Sequence, residues 1–121
     1  MARQRWRVRL GEQAELDFAN ILKWTTENFG ASQALVYNDT LVEAIRALAQ
    51  GPSVHDAKAR DDIMQGLYTL HVARRGRRGR HILLFRIAQA HMIEIGRILH
   101  DGMELTQHMP FFSDEHTDDK G

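Results

Sequence analysis

The chain has 121 residues, which is one domain's worth and enough to bury a modest core. It has no cysteine, which excludes disulfides, thiolate metal sites and a thiol nucleophile and fits a reducing cytoplasm, and no apolar run approaches membrane-spanning length. The zero net charge is an average of two unlike parts: residues 1–100 carry 15 Lys and Arg against 10 Asp and Glu, whereas residues 101–121 carry 1 against 6. A basic body suits an anionic partner, either nucleic acid or an acidic protein segment; the acidic end either solubilises the chain or shields that body.

The first residues are basic without a following apolar region, so no secretory signal is expected. Trp6-Arg7-Val8-Arg9-Leu10 alternates apolar and basic, which predicts a half-buried strand with Trp6, Val8 and Leu10 inward. A helix is expected from about residue 12 to 28. Leu16, Ala19, Leu22 and Lys23 lie near helical spacing, and Phe18, Ile21 and Trp24 widen the apolar face. Gly30 is placed for a left-handed C-cap and Ser32 for the next N-cap. The second helix runs to about Gln50 on Leu35, Leu41, Val42, Ile45, Leu48 and Ala49, and Gly51-Pro52 ends it. The short link makes the two helices an antiparallel hairpin.

Residues 51–65 read as a polar loop, in which Asp61-Asp62 are either solvated or cap a short turn before Ile63. A strand is expected over residues 67–72. Arg74-Arg75-Gly76-Arg77-Arg78-Gly79-Arg80 reads as a wet turn. Two strands follow at 81–87 and 92–98, linked by Ala88–Ala90. No repeat is visible. The expected fold is α+β in two layers, an antiparallel sheet packed against a helical hairpin in the order β-α-α-β-β-β. The domain is expected over 1–110, with a flexible acidic tail over 111–121.

Several side chains invite a functional reading beside a structural one. The arginine turn either grips an anionic partner or is a soluble hairpin tip that discourages edge pairing; it has no aromatic for base stacking. His100 and His108 are either acid–base groups or strand-end caps. No metal spacing accompanies them, so neither metal nor cofactor is expected. Arg97, two residues from Ile95, is expected on the face of Ile95 and Leu99, and Arg86 opposite Phe85. Each arginine either pairs with a carboxylate or marks a working surface. Trp24 and Phe18 are expected to pack in the core or hairpin seam, with any exposed remainder offered to a partner helix.

The element order, Gly66-Leu67-Tyr68-Thr69-Leu70-His71-Val72, Gly79-Arg80-His81 running into Leu84-Phe85-Arg86, and Arg97-Ile98-Leu99-His100 followed by Met103 and His108 are together similar to one family. Over residues 6–109 the chain resembles the ParE branch of the RelE/ParE superfamily, the toxins of type II toxin–antitoxin modules. The resemblance implies a cytoplasmic toxin of the plasmid-stabilisation kind, held in a hetero-oligomer by a cognate antitoxin, and a mode of action that is binding and inhibition of DNA gyrase. On that reading Arg74, Arg75, Arg77, Arg78, Arg80, Arg86, Arg97, His100, Met103 and His108 meet the target. Phe18, Leu22, Trp24, Leu41 and Ile45 meet the antitoxin.

The RelE branch implies a ribosome-dependent mRNA endoribonuclease instead, using Lys58, Arg74, Arg86, Arg97 and His100. Metal-free RNA cleavage needs cations for the transition state and a group to move the 2′-hydroxyl proton. The C-terminal tyrosine of that branch has no counterpart, since the tyrosines here are Tyr37 and Tyr68. A third alternative is a degenerate toxin kept as a protein-binding module.

Overall fold

A computed structural model describes residues 5–107. Strand β1 (Arg7–Leu10) leads into helix α1 (Glu12–Phe29) and helix α2 (Ala31–Ala47), which tightens into a 3-10 turn (Leu48–Gln50). Strands β2 (Lys58–Ala59), β3 (Tyr68–His71), β4 (His81–Gln89) and β5 (Met92–His100) follow, then a 3-10 turn (Leu105–Gln107). The sheet order is β1-β5-β4-β3-β2. The two-layer α+β architecture is as expected, with two differences.

First, the sheet is mixed: β1 pairs parallel with β5, Arg7 opposite Met92 and Leu10 opposite Ile95. A tight turn forces neighbouring strands antiparallel, but some 80 residues separate these two, so turn geometry imposes no direction. The helical hairpin also brings the chain back to where β1 began, and the Trp6 N–H donates to Ala49 O at 2.9 Å. Second, the loop after the helices contributes the two-residue strand β2, which pairs with Thr69 and Tyr68 of β3. Too short to carry a period, it left no pattern in the sequence.

The buried stripes of the hairpin include Phe18, Ile21, Leu22, Leu41, Ile45 and Leu48 as expected, but Leu16 and Leu35 fall outside them. On α1 it is Ala14, Phe18, Ile21, Leu22 and Thr25 that face the sheet, and Leu16 is exposed. On α2 it is Tyr37, Leu41, Ala44, Ile45 and Leu48, and Leu35 is exposed. Glu12 and Glu15 in the first turn of α1 sit favourably at the positive end of its dipole. Gly30 has φ 94° and ψ 165°, an extended rather than helical left-handed turn that only glycine adopts easily. It closes α1 through its N–H to Thr26 O and opens α2 by accepting the Ala34 N–H. Ser32 therefore lies inside α2 and is not its N-cap.

Both sheet faces are covered. Leu83, Phe85, Ile93, Ile95 and Ile98 face the helices. Leu84 and Leu99 face away and pack with Leu67, Ile63 and Met64 of the segment before β3. Asp61 shapes that segment by accepting the Gly66 N–H at 2.8 Å, and Asp62 pairs with Arg60. In β5 the alternation slips by one. Arg97 opposes Leu84 but Ile95 opposes Phe85, so Gly96 is an extra, bulged residue. Arg97 thus lies on the Leu84 side with Leu99 and not, as expected, with Ile95.

Candidate functional site

The candidate site lies where β4 begins and β5 stops. His81 and His100 are cross-strand partners there, with rings 5.5 Å apart and nearly perpendicular. Tyr37 reaches this end from α2, because it lies one turn before Leu41 on the stripe facing the sheet. Its hydroxyl accepts the Arg80 N–H at 3.1 Å and lies 2.7 Å from His81 Nδ1. The approach is possible because residue 79 is glycine: a Cβ there would sit 2.9 Å from the Tyr37 hydroxyl and 2.6 Å from Val72 Cγ2.

Burial above all, then the neighbouring His100, pushes His81 down from 6.5 to about 4, and the ring is neutral at pH 7. Burial also raises the Tyr37 phenol, which keeps its proton. Tyr37 therefore donates to Nδ1, and the His81 ring proton sits on Nε2. One residue beyond β5, Asp101 accepts from His71 Nε2 at 2.9 Å and from Arg80 Nε at 3.2 Å. The His71 hydrogen bond, followed by Arg80, holds its carboxyl below the usual range. His100 Nδ1 accepts the Gly102 N–H at 3.0 Å and ties down the turn after β5.

The neutral His81 makes a pH prediction. Its folded value of about 4 lies below the unfolded 6.5, so its contribution is complete above pH 6.5 and is lost as pH falls towards 4. Discounted for partial exposure, that loss is about 1–2 kcal/mol. The facing groups are His100, Asp101, His71 and Asp17, with Tyr37 in contact. Urea unfolding of the parent between pH 7 and pH 4 should show this slope, and His81→Gln should flatten it. An equal slope in both proteins would assign the pH dependence elsewhere.

Beside this cluster lies an open groove of about 1000 Å³ between the end of α1, the start of α2 and the ends of β4 and β5. Trp24 and Phe29 stand on its α1 wall, 56% and 65% exposed, in an edge-to-face pair 5.6 Å apart. Arg77, Arg78, Arg80 and Arg97 also line it, against one carboxylate, Asp17. Asp17 holds Arg97 through two bonds, 2.8 and 3.1 Å, and accepts the Ile98 N–H at 2.9 Å. Among the described residues no group of three His, Cys, Asp or Glu is placed to hold a metal.

Of the residues expected to meet a target, Arg77, Arg78, Arg80, Arg97, His100 and Met103 converge on this groove, together with Trp24. Others do not. Arg74 is no wet turn residue: its side chain is 7% exposed, beside Asp56 at 3.7 Å, and it donates to His55 O. Arg75 occupies the turn itself, with φ 54°. Arg86 pairs with buried Glu94 towards the far end of β4. Lys58 lies on β2, the edge strand farthest from β1. Of the five residues of the ribonuclease expectation, Arg97 and His100 thus meet at the groove, whereas Lys58, Arg74 and Arg86 lie apart from it. His108 lies outside the described residues. On the helices, Leu41 is sealed in the core and not offered to a partner; Phe18, Leu22 and Ile45 pack against that core and are only partly accessible.

The family described as the ParE toxin of type II toxin-antitoxin systems, parDE, matches residues 8–105, from within β1 to the first residue of the last 3-10 turn. The chain belongs to the ParE toxin family. Its fold is that of a chain from the chromosomal ParDE toxin–antitoxin system of P. aeruginosa, at a TM-score of 0.67 and 20% identity over 81% of this chain and 98% of that one. It is also similar to a chain of the RelBE2 toxin-antitoxin complex of Mycobacterium tuberculosis, with a TM-score of 0.55 and 20% identity over 79% of this chain and 98% of that one. No curated protein matches the sequence. Among the described residues no helix is long and apolar enough to cross a membrane. In this ParE-family chain the matched region contains the whole described groove.

Proposed function

We propose that this ParE-family chain is the toxin of a type II pair, acting in the cytoplasm, that inhibits DNA gyrase and replication by binding rather than by its own chemistry. The observation that supports binding is the groove itself. It joins exposed aromatics to an arginine rim, while the titratable groups beside it are held in hydrogen bonds within the fold. Aromatic and arginine side chains are what protein interfaces use as anchors. A base near neutrality is what general catalysis needs, and His81 at about 4 is a weak one whose Nδ1 already faces Tyr37. The gyrase target rests on the family resemblance.

The P. aeruginosa and M. tuberculosis relatives come from toxin–antitoxin assemblies, which supports a cognate antitoxin as partner in a hetero-oligomer. Leu16, Trp24, Phe29, Leu35 and Val36 are exposed apolar side chains of the helical hairpin and suit an amphipathic antitoxin helix.

One observation favours the ribonuclease alternative: Tyr37, His81, His100 and four arginines meet at one end of the sheet. Induction of the chain alone in a bacterium, with DNA and protein synthesis pulse-labelled together, decides. An early halt in DNA synthesis with filamentous cells is expected. An early halt in protein synthesis with cleaved mRNA would replace the gyrase reading by the ribonuclease. Normal growth with folded, soluble protein would overturn both toxin readings and leave a degenerate binding module.

A further inference from the structure

Three histidines near the start of β4 and the end of β5 share one arrangement. Each ring accepts a hydrogen bond at Nδ1: His71 from the Ala73 N–H at 3.0 Å, His81 from the Tyr37 hydroxyl at 2.7 Å, and His100 from the Gly102 N–H at 3.0 Å. A filled Nδ1 puts the proton of a neutral imidazole on Nε2, so each ring presents an Nε2–H. His71 donates its own to Asp101. Those of His81 and His100 have no acceptor among the described residues. His81 Nε2 is not sealed from solvent, and both residues line the groove. Their rings lie 5.5 Å apart, a gap that two N–H···O bonds of about 2.9 Å to a shared carboxylate would span.

Charge narrows the ligand further. Arg77, Arg78, Arg80 and Arg97 line the groove. Asp17 holds Arg97, Asp101 holds Arg80, and Asp39 lies 3.9 Å from Arg77. Arg78 is exposed and has no partner among the described residues. The site therefore offers one unpaired positive charge and two neutral donors. A single carboxylate satisfies that set, whereas a nucleic-acid strand brings a charge with every nucleotide. Ile21, Trp24, Phe29 and Met103 make the rest of the lining apolar and favour an apolar group beside the carboxylate.

We infer that His81 Nε2, His100 Nε2 and Arg78 together hold one aspartate or glutamate side chain of a protein partner, whose neighbouring apolar side chain packs on Trp24. The inference rests on the groove being the binding surface of the proposed function, and it names the group that this surface recognises. Tyr37 is then a positioning residue, because its hydroxyl decides which nitrogen of His81 carries the donor.

The test uses the full chain with isotope-labelled histidine rings, observed by NMR and assigned with His81→Gln and His100→Gln. At pH 7 His71, His81 and His100 should all show the Nε2–H form. The probe is 3-phenylpropionate, one carboxylate beside one ring. It should shift the His81 and His100 Nε2 signals together and leave His91, in the turn at the other end of β4 and β5, unmoved. It should also raise the His81 midpoint above about 4, because a bound anion favours the charged ring. Arg78→Gln should weaken probe binding about fivefold. Tyr37→Phe should move His81 towards the Nδ1–H form and weaken binding too, with His100 unchanged. No shift at either ring would overturn the inference. So would equal shifts from the neutral 3-phenylpropionamide. Oligothymidylate acting at a lower concentration per phosphate would overturn it in favour of nucleic acid, and shifts that follow protein concentration without probe in favour of a second copy. The readout needs no cellular target. A chain that arrests protein synthesis instead of DNA synthesis would leave these shifts standing, and a toxic chain without them would lose the carboxylate site alone.

Discussion

Glu94→Ala is expected to destabilise the protein by about 3–5 kcal/mol, the cost of removing one member of a buried ionic cluster. Glu94 is 1% exposed on the middle of β5. Arg9 on β1 and Arg86 on β4 flank it in register, 3.5 and 3.3 Å from Oε1, so one carboxylate serves two guanidiniums across three strands. Truncation removes the carboxylate that Arg9 and Arg86 share, and Arg86, at 19% exposure, recovers its hydration less readily than Arg9 at 41%. Such a loss is a large part of the 5–15 kcal/mol that domains of this size usually have. Glu94→Gln should cost less, since the amide oxygen still accepts hydrogen bonds. Urea midpoints of the three proteins check the order. A change below about 1 kcal/mol for Glu94→Ala would mean that the cluster is solvated and weak.

That cluster also shows what the sequence could and could not reveal. Strands β3 to β5 were legible because Leu70, Leu83, Phe85, Ile93 and Ile95 alternate with residues of the other face, and the sheet buries both sides. Glu94 and Arg86 fall out of that alternation together, yet their pairing needs the register of two strands and a parallel third. The slip at Gly96 is the clearest loss. A glycine inside a strand pattern signals a possible bulge, and here it turns Arg97 to the opposite face. The end of the sheet was legible as a polar cluster around Arg97 and His100. Tyr37 was not, because it arrives from a helix 44 residues away from His81. Its place on the stripe of Leu41, Ala44 and Leu48 was the available signal. Arg74 misled because a run of arginines reads as solvated, whereas Asp56 and His55 O draw this one in.

Asp17→Ala is the second large effect, and it links the fold to the groove. Strand β1 ends at Leu10, opposite Ile95, so the edge of β5 beyond that point has no strand beside it. Asp17 takes the strand's place: one oxygen accepts the Ile98 N–H at 2.9 Å, and the carboxylate holds Arg97 through two bonds. The hydrogen bond that Arg97 donates to Asp17, the larger cause, and the carboxylate's charge push the Arg97 guanidinium above its ordinary value. Alanine removes the one carboxylate that serves both Ile98 and Arg97, and about 2–4 kcal/mol should be lost from an unsatisfied amide and a charge-assisted pair at a partly buried site. Urea unfolding measures the total, and hydrogen exchange at the Ile98 amide locates it. Asp17→Asn should recover part of the stability, because its carbonyl still accepts from Ile98, but its amide group cannot hold a guanidinium in the same fork. Arg97→Met removes the cation while Asp17 keeps Ile98, so it should cost less than Asp17→Ala. If the groove is the toxin's binding surface, Arg97→Met should nonetheless relieve the block in DNA synthesis as fully as Asp17→Ala does. Arg97→Met that stays folded and fully toxic would separate the groove from the target and leave Asp17 and Arg97 as a clamp on the edge of the sheet.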